Sequence, residues 1–554
     1  VQTLLLASLA GRMYQLQVVE SDRYKTLADE NRINMQLLPP PRGRIFDRFG
    51  RPLAVNQLNY RLVIVPEQAG DLERSLAAIG LLVQIEQRER ERVLREAQRK
   101  RNFVPITVRE NLTWEEVSRI EVNAPDLPGT MIDVGQTRHY LSGKEAAHII
   151  GYVGAVTEKE LAGDPILALP GFRIGKSGAE KVFESRLRGK AGSRQVEVNA
   201  YGRIIRELRR DEGQPGDDYV LSIDIGLQEY ANARIMHESA SAVVIDVHSG
   251  ELMALVSSPS FNPNSFTTGI SQNEWNALMT NPRFPLTNKA VSGQYSPGST
   301  FKMMVALAAL EGDHINPNRE IFCPGYLDLG NRRFHCWKRG GHGRVNMYTG
   351  ISRSCDFYFY EVAKRVGVDD IAAMARRFGL GEKLGIELPS ERNGLMPTRD
   401  WKLAVYGVPW QKGETLVIGI GQGFVLATPL QLAVMTARIA NGGVAIAPKL
   451  VREAQRVGKR LPDLREPFPS MGLSAAHLAV VQKGMLDVTN DPRGTAYRAR
   501  IEEPSMAMAG KTGSVQFKRI TKAERERGLE SASPVRIGSR KFGCQIGQVL
   551  KAFK

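Results

Sequence analysis

The chain is 554 residues long, 42% hydrophobic and 24% charged, with a formal net charge of +16. This length suits about two to four domains, and the composition is that of a folded, core-forming protein. The basic residues are spread along the chain, with no run that reads as a nucleic-acid-binding tail; a basic surface suits anionic polymers or membrane surfaces, or is simply solvated.

The N-terminus, VQTLLLASLAGRMYQLQ, opens with apolar residues and then turns polar. A bilayer needs about 20 apolar residues. Residues 1–13 therefore read as the trailing end of a truncated transmembrane anchor or as a short buried helix. On the first reading the body lies on one side of a membrane. Residues 21–38 read as a polar helix. LPPPRGRIFDRFGRPLA (38–54) stiffens at three prolines and turns at Asp47–Gly50, and YRLVIVP follows as a strand. Residues 71–121 are charged and helical, most simply a solvated face, and 138–156 hold a helix with a lone His148 to which no chemistry is assigned. Residues 175–207 give a helix, a Gly-containing break and an alternating strand pair.

GQPGDD (213–218) is a loop that divides the chain. DIGLQEYANARIMHE follows as a helix, and SAVVIDVHSGELMALVSSP as a hairpin turning at His248-Ser249-Gly250. Strands packed on helices imply an α/β or α+β core, and there are no tandem repeats.

In QYSPGSTFKMMVALAALE (294–311), Pro297-Gly298 makes a turn before an apolar, helix-forming run. Ser299 and Lys302 are then an i, i+3 pair on one helix face, with the ammonium in reach of the hydroxyl. A serine becomes a nucleophile when a base takes its proton, and a lysine serves when burial or a neighbouring charge lowers its pKa. The helix N-terminus favours an oxyanion there. Ser354-Cys355-Asp356 lies downstream. Ser-x-Asp/Asn is a weak pattern, also met at Ser222-Ile-Asp224 and Ser260-Phe-Asn262, where it marks turns or caps. Lys511-Thr512-Gly513-Ser514 is the only Lys-Thr-Gly in the chain. It reads as a small-residue strand that a substrate backbone can approach. A lysine, a hydroxyl and a strand edge suit a peptide ending in a carboxylate.

Together the three segments resemble the signature of penicillin-binding proteins and serine β-lactamases. RGRIFDRFGRPLA, GKSGAEKVFESRLRGKAG and GIGQGFVLATPLQLA resemble class B penicillin-binding proteins, specifically the elongation-type D,D-transpeptidases. Gly419-x-Gly421-x-Gly423 lacks the Lys and the context of a nucleotide loop. The resemblance implies an α/β (α+β) transpeptidase domain of the penicillin-binding/serine β-lactamase type over 216–554, and an elongated, non-catalytic α+β pedestal of dimerisation type over 14–215. It implies that Ser299 attacks the penultimate D-Ala carbonyl of a peptidoglycan stem peptide and that Lys302 takes the hydroxyl proton. Ser354 would help protonate the leaving D-Ala, and Asp356 would hold the network. Lys511 and Thr512 would bind the terminal carboxylate, Gly513 would admit the substrate backbone, and the N–H groups of Ser299 and Ser514 would form the oxyanion hole. A second stem peptide resolves the acyl-enzyme, and β-lactams mimic the donor. The expected setting is the inner membrane with the body in the periplasm. The expected partners are an elongation glycosyltransferase and cell-shape scaffold proteins.

Cys323, Cys336 and Cys355 fall in one stretch with His342. They read as a Cys₃His structural zinc set or, in an oxidising compartment, as a Cys323–Cys336 disulfide; His335 is a weaker ligand candidate. Some relatives implied by the resemblance carry zinc here, and the catalytic step needs no cofactor. A metal on Cys355 would brace Ser354 and Asp356. From about residue 518 the tail lacks the strand-like continuation expected of the family, which implies an exposed sheet edge beside the site; Cys544 has no assigned role. The alternative function is therefore a membrane-anchored, penicillin-binding scaffold that has lost turnover. A β-lactamase fits poorly with the long pedestal.

Overall fold

A computed structural model of the chain describes residues 9–15, 33–99, 102–161, 163–169, 171–199, 204–456, 458–460, 467–515 and 545–551. Most of the N-terminal apolar stretch, the 21–32 part of the expected polar helix, residues 518–544 of the tail, and Cys544 lie outside the described residues. Residues 9–14 are helical, with Leu9, Met13 and Tyr14 exposed. No helix among the described residues is long and apolar enough to cross a membrane.

The sequence-based helix over 21–38 is corrected at its end: Ile33–Leu38 is a strand, antiparallel to Gly192–Val198, which pairs in turn with Ile204–Asp211. Strand pairing overrides local propensity here. The expected strand pair of 175–207 is the other half of this three-stranded sheet. YRLVIVP lies within the long strand Pro52–Ile64, which pairs with Ile106–Leu112 on one side and Thr130–Tyr140 on the other. The charged 71–121 stretch is helical over Leu72–Leu82, Gln87–Arg99 and Trp114–Val122, interrupted by the strand Ile106–Leu112.

The GQPGDD loop does not separate two independent sheets. Asp218–Leu221, which begins on its last residue, pairs in parallel with Ile45–Phe46 and antiparallel with Val451–Arg456, so one sheet runs through both halves. Behind it Ile45, Leu53, Tyr140 and Ile149 share a core with Tyr219, Leu255, Val291 and Leu430. The junction is crossed by the ion pairs Arg44–Asp218 at 2.7 Å and Arg48–Glu251 at 3.3 Å, and a buried charged cluster lies on its N-terminal side. Fully buried Glu180 receives Arg42 at 2.6 Å and Arg138 at 2.7 Å. Burial pushes its carboxyl up, but the two guanidinium charges outweigh that and hold it below the usual range. His148 is a core histidine: its ring meets Phe261 edge-on at 5.3 Å, and burial pushes its pKa down to about 4.

The expected hairpin forms between Ala240–Ile245 and Leu252–Ser258. In the C-terminal half the helix Lys302–Glu311 is buried on every side from Lys302 to Leu310, the mark of a central element. The exposed-edge expectation is corrected. Met508–Ser514 pairs antiparallel with Gln545–Lys551, from Met508↔Lys551 to Ser514↔Gln545. That segment, QIGQVLK, lacks clean alternation and contains a glycine, so its strand character comes from the ladder rather than from its own pattern.

Candidate active site

Each of the three sequence segments supplies one wall. Ser299 lies on a 3₁₀ turn, Gly298–Phe301, that opens the buried helix. The turn needs glycine: Gly298 has φ +58, and a Cβ there would stand 2.6 Å from the Ser514 carbonyl oxygen. Its N–H donates to the Gly421 carbonyl at 2.8 Å. Gly421 in turn has φ +69 and faces the Gly298 carbonyl, 2.1 Å from where a Cβ would lie. The Gly-x-Gly-x-Gly stretch therefore serves close backbone packing. The Lys-Thr-Gly-Ser strand thus ends against the turn that carries Ser299.

The lysines meet on the second segment. Lys302 Nζ donates to Asp356 Oδ1 at 2.7 Å, to the Ser354 carbonyl at 2.9 Å and to Ser354 Oγ at 3.2 Å. Lys511 Nζ donates to Ser354 Oγ at 2.9 Å and to the Thr512 carbonyl at 2.9 Å. Both lysines are buried, at 0% and 1% exposure, whereas Ser299 is half-buried. Burial first, then the Lys302 charge, holds the Lys511 ammonium well below the ordinary lysine range, with Asp356 pulling the other way. The expected Ser299–Lys302 contact differs in detail: the three ammonium protons of Lys302 are directed at Ser354 and Asp356. Thr512 Oγ1 lies 2.8 Å from Thr495 Oγ1.

The decoys separate cleanly. Asp224 caps the helix Ile225–Ile235 by accepting from Leu227 N–H, and Asn262 caps Pro263–Thr268. Ser222 Oγ lies 2.8 Å from both the Leu252 and Lys449 carbonyls. These are the turns and caps expected of a weak pattern.

Beside this site Cys323, Cys336, His342 and Cys355 place their ligand atoms within 4.8 Å of one another. His342 Nδ1 is 3.5 Å from Cys336 Sγ and 3.7 Å from Cys323 Sγ. A tetrahedral zinc with sulfur at about 2.3 Å and nitrogen at about 2.0 Å spaces its ligands by about 3.5–3.8 Å, so the donor set fits that ion. The three cysteines are free thiols, so the Cys323–Cys336 disulfide is not formed. The buried His342 Nε2 has no hydrogen-bond partner among the described residues. His335 is exposed and outside the set. Cys355 caps the helix Asp356–Val366, its Sγ accepting from Tyr358 N–H at 3.5 Å.

Sequence reasoning missed Trp337 and Thr495. Trp337 N–H donates to Asp356 Oδ2 at 2.9 Å, and its indole N–H lies 3.0 Å from the Ser354 carbonyl. The signal was its place beside Cys336; no pattern marks Thr495.

A buried lysine at the head of a buried helix, a serine it shares with a second buried lysine, and a strand closing on the Ser299 turn have the layout of a serine acyl-transfer site on an α/β frame. The family description "Penicillin binding protein transpeptidase domain" matches residues 240–529, and "Penicillin-binding Protein dimerisation domain" matches residues 37–221. The chain belongs to the penicillin-binding proteins. It is 36% identical to the peptidoglycan D,D-transpeptidase MrdA of Escherichia coli, covering 93% of this chain and 82% of that one. Against MrdA of Acinetobacter baumannii it is 37% identical, covering 94% and 77%. Among solved structures it resembles Helicobacter pylori PBP2 in complex with MreC (TM-score 0.77, 30% identity, 87% and 90% covered). It also resembles Pseudomonas aeruginosa PBP2 in complex with WCK 5153 (TM-score 0.65, 33% identity, 87% and 86% covered).

Proposed function

We propose that this protein is a peptidoglycan D,D-transpeptidase of the elongation type. It cross-links stem peptides through an acyl-enzyme on Ser299 and is acylated there by β-lactams. The observation that carries the reading is the convergence of Lys302 and Lys511 on Ser354 Oγ at the end of the helix turn that bears Ser299. In the acylation step Ser299 Oγ bonds to the penultimate D-Ala carbonyl carbon and its proton passes to the neutral Lys302 amine. The N–H groups of Ser299 and Ser514 face the developing oxyanion. Ser354, fixed by two lysines as donors, gives its own O–H proton to the leaving D-Ala nitrogen and takes back a proton from Lys302, 3.2 Å from its Oγ, so that Lys302 ends neutral. Lys511 and Thr512 take the terminal carboxylate; arrival of that anion stabilises the Lys511 ammonium. Gly513 leaves room for the peptide backbone. An amine of a second stem peptide then displaces the enzyme.

The Cys₃His set holds a structural Zn²⁺ on this reading, through Cys323, Cys336, Cys355 and His342 Nδ1. The ion would supply charge for the thiolates and fix Cys355 between Ser354 and Asp356. Residues 14–215 act as the pedestal and 216–554 as the transpeptidase domain. An N-terminal anchor holds the body on the periplasmic side of the inner membrane. Relatives described in complex with MreC and in a peptidoglycan synthase complex support shape-scaffold and glycosyltransferase partners. The test is labelling with a fluorescent penicillin. Covalent signal that disappears in Ser299→Ala, with unchanged melting, supports the enzyme; equal labelling of the variant refutes it.

A further inference from the structure

We propose that Trp337 is a positioning residue for acyl transfer. Its indole N–H holds the Ser354 carbonyl, and with it the Ser354 backbone, while Lys302 changes its bonding. This rests on the serine acyl-transfer reading above.

Ser354 has φ +53, in the left-handed region that few residues other than glycine adopt. Such a backbone persists where its surroundings over-determine it. Its N–H donates to the Ile351 carbonyl at 3.1 Å. Its carbonyl accepts from Lys302 Nζ at 2.9 Å and from Trp337 Nε1 at 3.0 Å. The indole also lies 3.3 Å from the Arg353 carbonyl.

The Lys302 bond cannot be permanent. The ammonium spends its three protons on Asp356, the Ser354 carbonyl and Ser354 Oγ. To accept the Ser299 proton the amine must be neutral, with two N–H groups and one lone pair turned to that hydroxyl. At least one of the three bonds is then released. Each partner keeps a second donor: Lys511 on Ser354 Oγ, the Trp337 main-chain N–H on Asp356, and the Trp337 indole on the carbonyl. With the indole in place the carbonyl stays paired when Lys302 leaves; without it, a buried carbonyl in a strained backbone loses its partners.

Trp337 is built for this role rather than for packing. Its side chain is exposed, with relative accessibility 59%, yet its polar atom points inward. Its main-chain N–H grips Asp356 Oδ2 at 2.9 Å while Lys302 holds Oδ1. Its ring meets His342 edge-on at 5.3 Å, and Cys336 precedes it, so the thiol–imidazole cluster sets where the indole sits.

The test compares the full chain with Trp337→Phe and with a variant carrying 3-benzothienylalanine at 337, which keeps the bicyclic shape and lacks the N–H. Benzylpenicillin acylation is resolved into a non-covalent dissociation constant and an acylation rate constant, alongside zinc content and melting temperature. The expected result is an acylation rate constant lower by about tenfold in both variants, the loss due to one hydrogen bond, with dissociation constant, zinc content and melting of the benzothienyl variant unchanged. An unchanged acylation rate constant in that variant overturns the proposal. So does a fall that tracks loss of zinc or of melting temperature, which is what a purely structural role gives. Ser299→Ala and the unaltered chain run in parallel: absence of Ser299 acylation in the unaltered chain sinks the acyl-transfer reading itself, whereas normal acylation there and in the variants sinks this inference alone.

Discussion

Replacing Lys511 by methionine is expected to stabilise the fold while slowing acylation. The two buried lysine nitrogens lie 3.2 and 2.9 Å from the same Ser354 hydroxyl, so they are at most about 6 Å apart. At an effective dielectric of about 20, two unit charges at that separation repel by about 3 kcal/mol. One carboxylate, Asp356, faces both, and it bonds to Lys302. The site answers by holding Lys511 below the ordinary lysine range, through burial and the Lys302 charge. The unfolded chain then binds more protons than the folded one between the depressed pKa and the ordinary lysine value. Stability rises with pH across that window and is lost as pH falls towards the folded pKa. Methionine fills similar volume without charge and removes that repulsion of about 3 kcal/mol, less about 1 kcal/mol for each of the hydrogen bonds given up to Ser354 Oγ and the Thr512 carbonyl. Urea unfolding at pH 7.5 should show Lys511→Met more stable by about 1 kcal/mol, with the difference shrinking towards pH 10. Penicillin acylation should fall by at least about tenfold to a hundredfold, the loss of one charge-assisted hydrogen bond to the substrate carboxylate. A variant less stable than the parent, or a stability gap that does not narrow at alkaline pH, would refute the two-ammonium argument.

Gly298→Ala forces a Cβ to 2.6 Å from the Ser514 carbonyl in a left-handed backbone. The conformation alone costs about 1–2 kcal/mol, and the displaced turn should slow acylation more than it lowers melting temperature, read by stopped-flow labelling and calorimetry. Glu180→Gln leaves two buried guanidinium groups short of their carboxylate, for a loss of about 3–5 kcal/mol. Because its carboxyl is held low, the stabilisation is present above the usual glutamate range and lost as pH falls through the depressed pKa. The difference between parent and variant in urea unfolding should therefore shrink in acid. A Cys323→Ser variant should retain less zinc by elemental analysis, and a chelator should lower the acylation rate of the parent in a way that added Zn²⁺ restores. Full acylation in a demonstrably zinc-free protein would count against the bracing role.

The three motif segments were legible because each uses a residue type with one dominant local meaning. A Ser-x-x-Lys before an apolar run has to put both residues at a helix start, and Lys302 through Leu310 are indeed buried. Cys323, Cys336, His342 and Cys355 were legible as a set because three thiols and an imidazole in one stretch make up the donor set of a closed tetrahedral site. What chain order hid were pairings made at a distance. Nothing local in INMQLL distinguishes the tail of a helix from a strand; its register with Gly192–Val198 decides. Likewise QIGQVLK is a strand because Met508–Ser514 offers it a ladder. The direction of the Lys302 ammonium was hidden for the same reason. Helix geometry says that it shares a face with Ser299, but a buried charge turns to the carboxylate, and Asp356 is 54 residues away in the chain.

These distant contacts converge on one tripeptide, Ser354-Cys355-Asp356. Ser354 takes both lysines, Asp356 takes Lys302 and the Trp337 main chain, and Cys355 caps the following helix while facing the other thiols. The residues that face the cleft and the residue that faces the thiol cluster thus alternate along an extended-to-helical junction. Ser354 in a left-handed conformation is what lets adjacent residues point to opposite sides. A glycine at 354 would relieve the strain but remove the hydroxyl on which the lysines meet. The strain is therefore tied to the chemistry rather than incidental to the turn, and besides Lys302 its support comes from outside the cleft: from Ile351, from Trp337 and from the packing of Cys355.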